Sequence, residues 1–177
     1  MIYVFLADGF EEMEAVVPID ILRRTKTEVK TVGVTSINPT SAGGIGIKCD
    51  LSIEDTKTQG LDGIVLPGGM PGTENLFKNE RIKELVSFCF DKGKIIGAIC
   101  AAPIILGRLG FLKGKKACCF PGFEGELNGA IITDSRVCSD GNIVTGKGPG
   151  TALEFSLKLI EIIIGEKTAG TIKQSLQ

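Results

Sequence analysis

Short, uninterrupted apolar runs alternate with amphipathic stretches along this chain. Ile2 to Ala7 is apolar throughout, the pattern of a central strand buried on both faces. Asp8-Gly9 turns the chain. Glu11 to Arg24 then reads as an amphipathic helix whose acidic start and Arg23-Arg24 end suit its dipole, with a kink expected at Pro18. Glu28 to Val34 alternates as a second strand, and the glycine-rich Ser41 to Ile53 predicts a hairpin at the sheet edge. Asp62 to Leu66 is another buried strand, ended by Pro67-Gly68-Gly69-Met70-Pro71-Gly72, and Glu80 to Lys92 is a helix. The run Ile95 to Ile99 predicts a strand that meets Cys100. A helix with Pro103 in its first turn follows and stops near Gly107 or Gly110. Lys116 to Phe120 and Ala130 to Ile132 read as short strands, and Val137 to Val144 as a hairpin turning at Asp140-Gly141. Helices over Thr151 to Ile164 and Lys167 to Ser175 complete the chain. Strands alternating with helices imply an α/β class: a mostly parallel sheet covered on both faces, with a small edge hairpin. No linker or repeat interrupts the pattern, so residues 1–177 are expected to form one domain.

Composition removes several function classes. A formal net charge of −1 offers no polyanion-binding surface, so nucleic acid is not an expected partner. No apolar stretch approaches the ~20 residues of a membrane span. The opening Met-Ile-Tyr-Val-Phe-Leu lacks the marks of a signal peptide, and a cytoplasmic location is expected. The chain has six cysteines and no histidine. The missing histidine excludes Cys-His catalysis and, with no Cys-x-x-Cys pair, most zinc arrangements.

Cys100 lies where a strand becomes a helix, the geometry of a nucleophile elbow carrying sulfur. The amides and dipole at the helix start are expected to favour thiolate. The competing reading is a buried structural cysteine. In a parallel sheet, ligand sites lie beyond the carboxyl ends of the strands. Asp8-Gly9, Gly68-Gly69 and Cys100 all follow strands and should converge there. Glu14, flanked by Met13, Ala15, Val16 and Val17, should be partly desolvated with a raised pKa, a proton-transfer partner for a cysteine where no histidine exists. Glu11 and Glu12 read as solvated helix-start charges. Backbone amides of Gly69 and Ala101 could form an oxyanion hole. Gly148-Pro149-Gly150-Thr151 reads as a tight turn with Thr151 as a cap rather than an anion site. Cys49, Cys89, Cys118, Cys119 and Cys138 read as packing residues or secondary oxidation sites.

Five segments in order resemble the ThiJ/PfpI superfamily, in particular its DJ-one branch, that of the parkinsonism-associated protein deglycase and its bacterial relatives. They are Asp8-Gly-Phe-Glu-Glu-Met-Glu14, Pro18-Ile-Asp20 with Arg23-Arg24, Leu66-Pro-Gly-Gly69, Ala98-Ile-Cys-Ala-Ala-Pro103 and Gly148-Pro-Gly-Thr-Ala-Leu-Glu-Phe155. The resemblance implies a flavodoxin-like three-layer sandwich and a homodimer. It also implies that Cys100 is strained and readily oxidised to sulfinate, that Glu14 hydrogen-bonds to it, and that amides matching Gly69 and Ala101 hold an oxyanion. Activities implied are glutathione-independent hydration of methylglyoxal to lactate, repair of early glycation adducts, oxidative-stress sensing and chaperone-like holding. The partner is then a small reactive aldehyde or glycated adduct, and no metal or organic cofactor is required. Phe120 stands where the human-type protein carries a histidine. Ala101 stands where the protease-like branch places one, which disfavours a peptidase. A role in thiazole biosynthesis follows the family only by name.

Three readings result. In the first, Cys100 adds to a 2-oxoaldehyde and Glu14 moves a proton between the adjacent carbons. In the second, a low-pKa Cys100 is an oxidative-stress sensor or chaperone switch. In the third, the domain binds ligand and Cys100 is inert, with a normal or raised pKa.

Overall fold

A computed structural model describes residues 1–176. The central sheet contains β1 (Ile2–Leu6), β2 (Val29–Gly33), β3 (Leu51–Ser52), β4 (Gly63–Leu66), β5 (Ile95–Ile99), β8 (Val137–Asp140) and β9 (Ile143–Gly146). Its order is β3-β2-β1-β4-β5-β9-β8, and every pairing is parallel except β8 with β9. The helices are α1 (Glu12–Arg24), α2 (Gly72–Lys78), α3 (Glu80–Asp91), α4 (Pro103–Arg108), α5 (Ala152–Ile163) and α6 (Glu166–Ser175).

Strand alternation distributes the core between two faces. Tyr3, Phe5 and Ala7 point to one side, with Ile64, Leu66, Ile96 and Ala98, against Ile82, Leu85, Val86 and Cys89 of α3 and the apolar face of α4. Ile2, Val4 and Leu6 point to the other, with Val65 and Ile99, against α1 and α5. Helices therefore cover both faces, giving the three-layer, flavodoxin-like sandwich. The continuous apolar runs of β1, β4 and β5 are the direct consequence, since neither face of these strands meets water. The chain leaves β1 toward β2 on one side and returns to β4 on the other. This opens a crevice at the carboxyl end of the sheet.

Several expectations change. The hairpin over Ser41 to Ile53 does not form. One antiparallel bridge joins Thr40 to Gly46, and β3 pairs parallel with β2 at the sheet edge. A carboxylate holds this loop instead: Glu12 Oε1 accepts from Ser41 Oγ at 2.5 Å and from the Gly43 amide at 2.6 Å. Glu12 is thus a loop anchor as well as a helix-start charge, and the Ser41 bond holds its carboxyl below the usual range. α2 lies between the Pro67–Gly72 run and the helix beginning at Glu80, where the sequence pattern assigns no element; Pro71 and Gly72 open it, and only Leu76 of its residues 74–78 is buried. β6 covers only Lys116–Ala117, and it pairs with β7 (Ile131–Ile132) in a separate two-stranded parallel sheet, leaving Cys118 and Cys119 beyond the strand. α1 continues through Pro18, the cost being the amide that would have bonded the Glu14 carbonyl. Thr151 does not cap α5: its hydroxyl donates to the Gly148 carbonyl at 2.8 Å. Among the described residues no helix is long and apolar enough to cross a membrane.

Candidate active site

Cys100 follows β5 directly and takes φ +64°, a left-handed conformation uncommon outside glycine. Three elements hold it there. Its amide donates to the Gly146 carbonyl at the end of β9 (2.9 Å), and its carbonyl accepts from the Phe120 amide (2.9 Å). Pro103 at the first position of α4 then starts the helix three residues later. A non-glycine residue so placed stores about 1–3 kcal/mol of strain, and it persists because both flanking peptide groups are pinned.

Glu14 reaches the same point from α1. Its side chain is fully buried, and Oε2 accepts from the Gly68 amide at 2.9 Å. Oε1 has no hydrogen-bond partner within the protein. Gly68 is where the two groups meet. A methyl group on it would stand 2.6 Å from Glu14 Oε2, 2.7 Å from Cys100 Cβ and 2.8 Å from the Ile99 carbonyl oxygen. Only glycine allows the strand-ending loop to lie against both side chains. The neighbouring Gly69 takes φ +88°, and its amide and that of Ala101 both act on the Cys100 sulfur. The four groups singled out in the sequence, Cys100, Glu14, Gly69 and Ala101, are therefore together at the carboxyl edge of the sheet. Gly68 and Phe120 complete the surroundings. The Gly-Gly pair pointed to the first, but only the bond from the Phe120 amide to the Cys100 carbonyl, made by the segment that follows β6, brings the second against the elbow.

Burial pushes the Glu14 carboxyl up to about 7, and the nearby Glu11 charge acts the same way; bonds involving Cys100 and the Gly68 amide pull against it. The expectation for Cys100 is reversed. Burial pushes its thiol up to about 12, reinforced by the charge and hydrogen bond of Glu14, while the Gly69 and Ala101 amides pull it down. The expected helix-dipole effect loses because α4 is only six residues long and begins beyond Ala101-Ala102. Both contributions of Glu14 depend on its being ionised. Once Glu14 carries a proton, the repulsion vanishes and its O–H can donate to sulfur. The pair is thus built to hold one shared proton, not a standing thiolate.

Cys49, Cys89, Cys118, Cys119 and Cys138 are all buried free thiols elsewhere in the fold. Among the described residues, no cluster of three or more His, Cys, Asp or Glu is arranged to hold a metal.

The model of the DJ-1/PfpI family matches residues 1–162. The chain is 36% identical over 166 residues to the glutathione-independent glyoxalase DJR-1.2 of Caenorhabditis elegans, covering 92% of this chain and 88% of that one. It is 37% identical over 168 residues to Protein DJ-1 homolog B of Arabidopsis thaliana, 94% of this chain but only 38% of that relative's length. The structure superposes on oxidized Toxoplasma gondii DJ-1 with a TM-score of 0.95 at 36% identity, over 99% of this chain and 96% of the other. A match that runs through every strand bordering the crevice, through the helix that carries Glu14 and through the elbow at Cys100 is not a likeness of architecture alone: the chain belongs to the DJ-1/PfpI family.

Proposed function

We propose that this protein converts small 2-oxoaldehydes such as methylglyoxal to 2-hydroxy acids, with Cys100 as nucleophile and Glu14 as the proton carrier. The observation that carries the reading is Glu14 itself: a fully buried carboxyl with one oxygen unpartnered, titrating near 7, beside a strained elbow cysteine. A group that titrates at the working pH can both take and give a proton. The relative from Caenorhabditis elegans, named a glutathione-independent glyoxalase, supports the same chemistry.

The steps follow from the shared proton. As the Cys100 sulfur bonds to the aldehyde carbon, its proton passes to ionised Glu14, and the carbonyl oxygen develops negative charge against the Gly69 and Ala101 amides. Glu14 returns that proton to the oxygen, leaving a neutral hemithioacetal and a carboxylate. The carboxylate takes the C1 proton and delivers it to C2 while the C1 hydroxyl proton passes to the C2 oxygen, which turns the hemithioacetal into a 2-hydroxyacyl thioester. Water cleaves the thioester, releasing the hydroxy acid and restoring the thiol. The net change is addition of one water, with no external oxidant, metal or organic cofactor. Early glycation adducts present a related carbonyl and extend the substrate class.

A second reading is oxidation of Cys100 to sulfinate as a stress signal. It is supported by the two amides that would donate to a sulfinate oxygen, by a Glu14 able to donate, and by the oxidized state of the Toxoplasma gondii relative. Lactate formation from methylglyoxal by the wild type, Cys100→Ser and Glu14→Gln separates the two. Turnover lost in both variants is the expected result. No turnover in the wild type would favour the sensor, and full turnover in Glu14→Gln would remove the proposed proton carrier.

A further inference from the structure

Phe120 is an exposed aromatic ring beside the Cys100 elbow, 43% accessible in a protein whose other aromatic rings are all buried or half-buried. Its place is fixed by the backbone, since the Phe120 amide donates to the Cys100 carbonyl at 2.9 Å. The ring is then braced from two sides. Its edge packs on the buried Gly148, where an added methyl would stand 3.1 Å from Cδ2, and it meets Phe123 edge-on at 6.5 Å between centroids. Gly148 lies two residues after Gly146, whose carbonyl accepts the Cys100 amide. The ring is therefore held against the two segments that grip the elbow, with a free apolar surface beside the mouth of the site.

We propose that Phe120 determines substrate choice, forming an apolar wall that favours 2-oxoaldehydes carrying an aryl or bulky alkyl group over the bare dialdehyde. The proposal rests on the oxoaldehyde reading for its substrates and on the geometry of the rim for its direction. The aldehyde carbon must lie at Cys100 Sγ, and in the proposed pose the substituent on the second carbon leaves the elbow on the side of Phe120, whose backbone is bonded to Cys100. Phe120 carries no proton-transfer group, so it is a positioning residue and acts on KM more than on kcat.

The test compares kcat/KM for phenylglyoxal and for glyoxal in the wild type, Phe120→Ala and Phe120→Tyr. The expected result is that the phenylglyoxal-to-glyoxal ratio falls roughly tenfold in Phe120→Ala, through KM, and returns in Phe120→Tyr, which keeps the ring. A ratio unchanged in Phe120→Ala, or an equal loss on both substrates, overturns the proposal. A second readout does not depend on turnover: alkylation of Cys100 by 2-bromoacetophenone relative to iodoacetamide, followed by intact mass. That ratio should fall several-fold in Phe120→Ala. If the wild type turns over neither aldehyde but the alkylation ratio moves, only the oxoaldehyde reading fails; if the alkylation ratio does not move, the wall fails.

Discussion

The elbow at Cys100 and the interior of α3 at Cys89 each contain a thiol that burial pushes up to about 12. By titration alone the two are equivalent. Their surroundings are not. Cys89 sits on a regular helix, fully buried among Leu85, Val86 and Phe88, with the charge of Lys94 as the one further influence on its thiol. Cys100 is partly exposed, strained at φ +64°, and faces a carboxyl and two backbone amides. A raised thiol pKa marks an inert cysteine only where no neighbour can accept the proton as the sulfur reacts. Geometry, not titration, distinguishes the two sites.

The largest effect that would break this comparison is on turnover. Cys100→Ser is expected to lower methylglyoxal conversion on the order of a thousandfold, whereas Cys89→Ser should alter stability and leave kcat within about twofold. Iodoacetamide should modify Cys100 first, read by peptide mapping. Preferential loss at Cys89 would erase the distinction.

Glu14→Gln comes next and cuts both ways. Removing the proton carrier should lower kcat/KM by about 10²–10⁴. The same change should stabilise the fold at alkaline pH. The folded carboxyl titrates near 7 against 4.5 for the free group, so between these values the native state holds a proton that the unfolded chain has lost. Stability therefore falls as pH rises from 4.5 through 7, by an amount on the order of 3 kcal/mol. The glutamine escapes that loss, and urea unfolding at pH 5 and pH 8 reads it: wild type and variant should converge at pH 5 and separate at pH 8. In the wild type, kcat/KM should decline below about pH 7 as Glu14 becomes protonated. A flat profile across pH 6 to 8 would mean that another group carries the proton.

Gly68→Ala tests whether the contact between the two side chains is as close as it stands. The added methyl meets Cys100 Cβ and the Ile99 carbonyl oxygen, which the backbone fixes, and Glu14 Oε2, whose side chain is fully buried. Destabilisation of about 1–3 kcal/mol is expected, together with reduced alkylation of Cys100. Neutral behaviour in both would mean that the loop has slack.

Much of this was legible in the sequence because burial on both faces writes itself as continuous apolar runs. β1, β4, β5 and the helices α1 and α3 fall within a residue or two of their sequence limits. Glu14 was legible only in part: Met13 and Val16, two of the apolar neighbours that marked it, are themselves half-exposed, and its burial comes from the inward face of α1 that it shares with Ala15, Pro18 and Leu22. What failed depended on contacts distant in sequence. The loop after β2 is held by Glu12, some thirty residues away, so alternation within residues 41–53 carried no information about its partner. The direction of the Cys100 shift failed because a local motif announces the helix dipole but not the burial around it. Phe120 was visible as a departure from the family pattern, yet its contact with the elbow is made by a segment outside any strand.

The smallest effect isolates the strain itself. Cys100→Ala and Cys100→Gly both remove the thiol, and both relieve the Glu14 pairing equally. They differ only in what the backbone at φ +64° requires. Alanine keeps the Cβ that makes a left-handed residue costly; glycine does not. In an ordinary strand or helix position glycine is the less stable of the two, through its greater freedom when unfolded. At this position the order should invert, with Cys100→Gly more stable than Cys100→Ala by about 1 kcal/mol in urea unfolding at pH 5, where Glu14 is neutral in both. At Cys89, within α3, the same pair of substitutions should show the ordinary order. An inversion confined to residue 100 would locate stored strain at the reacting cysteine. The ordinary order at both positions would mean that the bonds to Gly146 and Phe120 hold an elbow with no strain left to release.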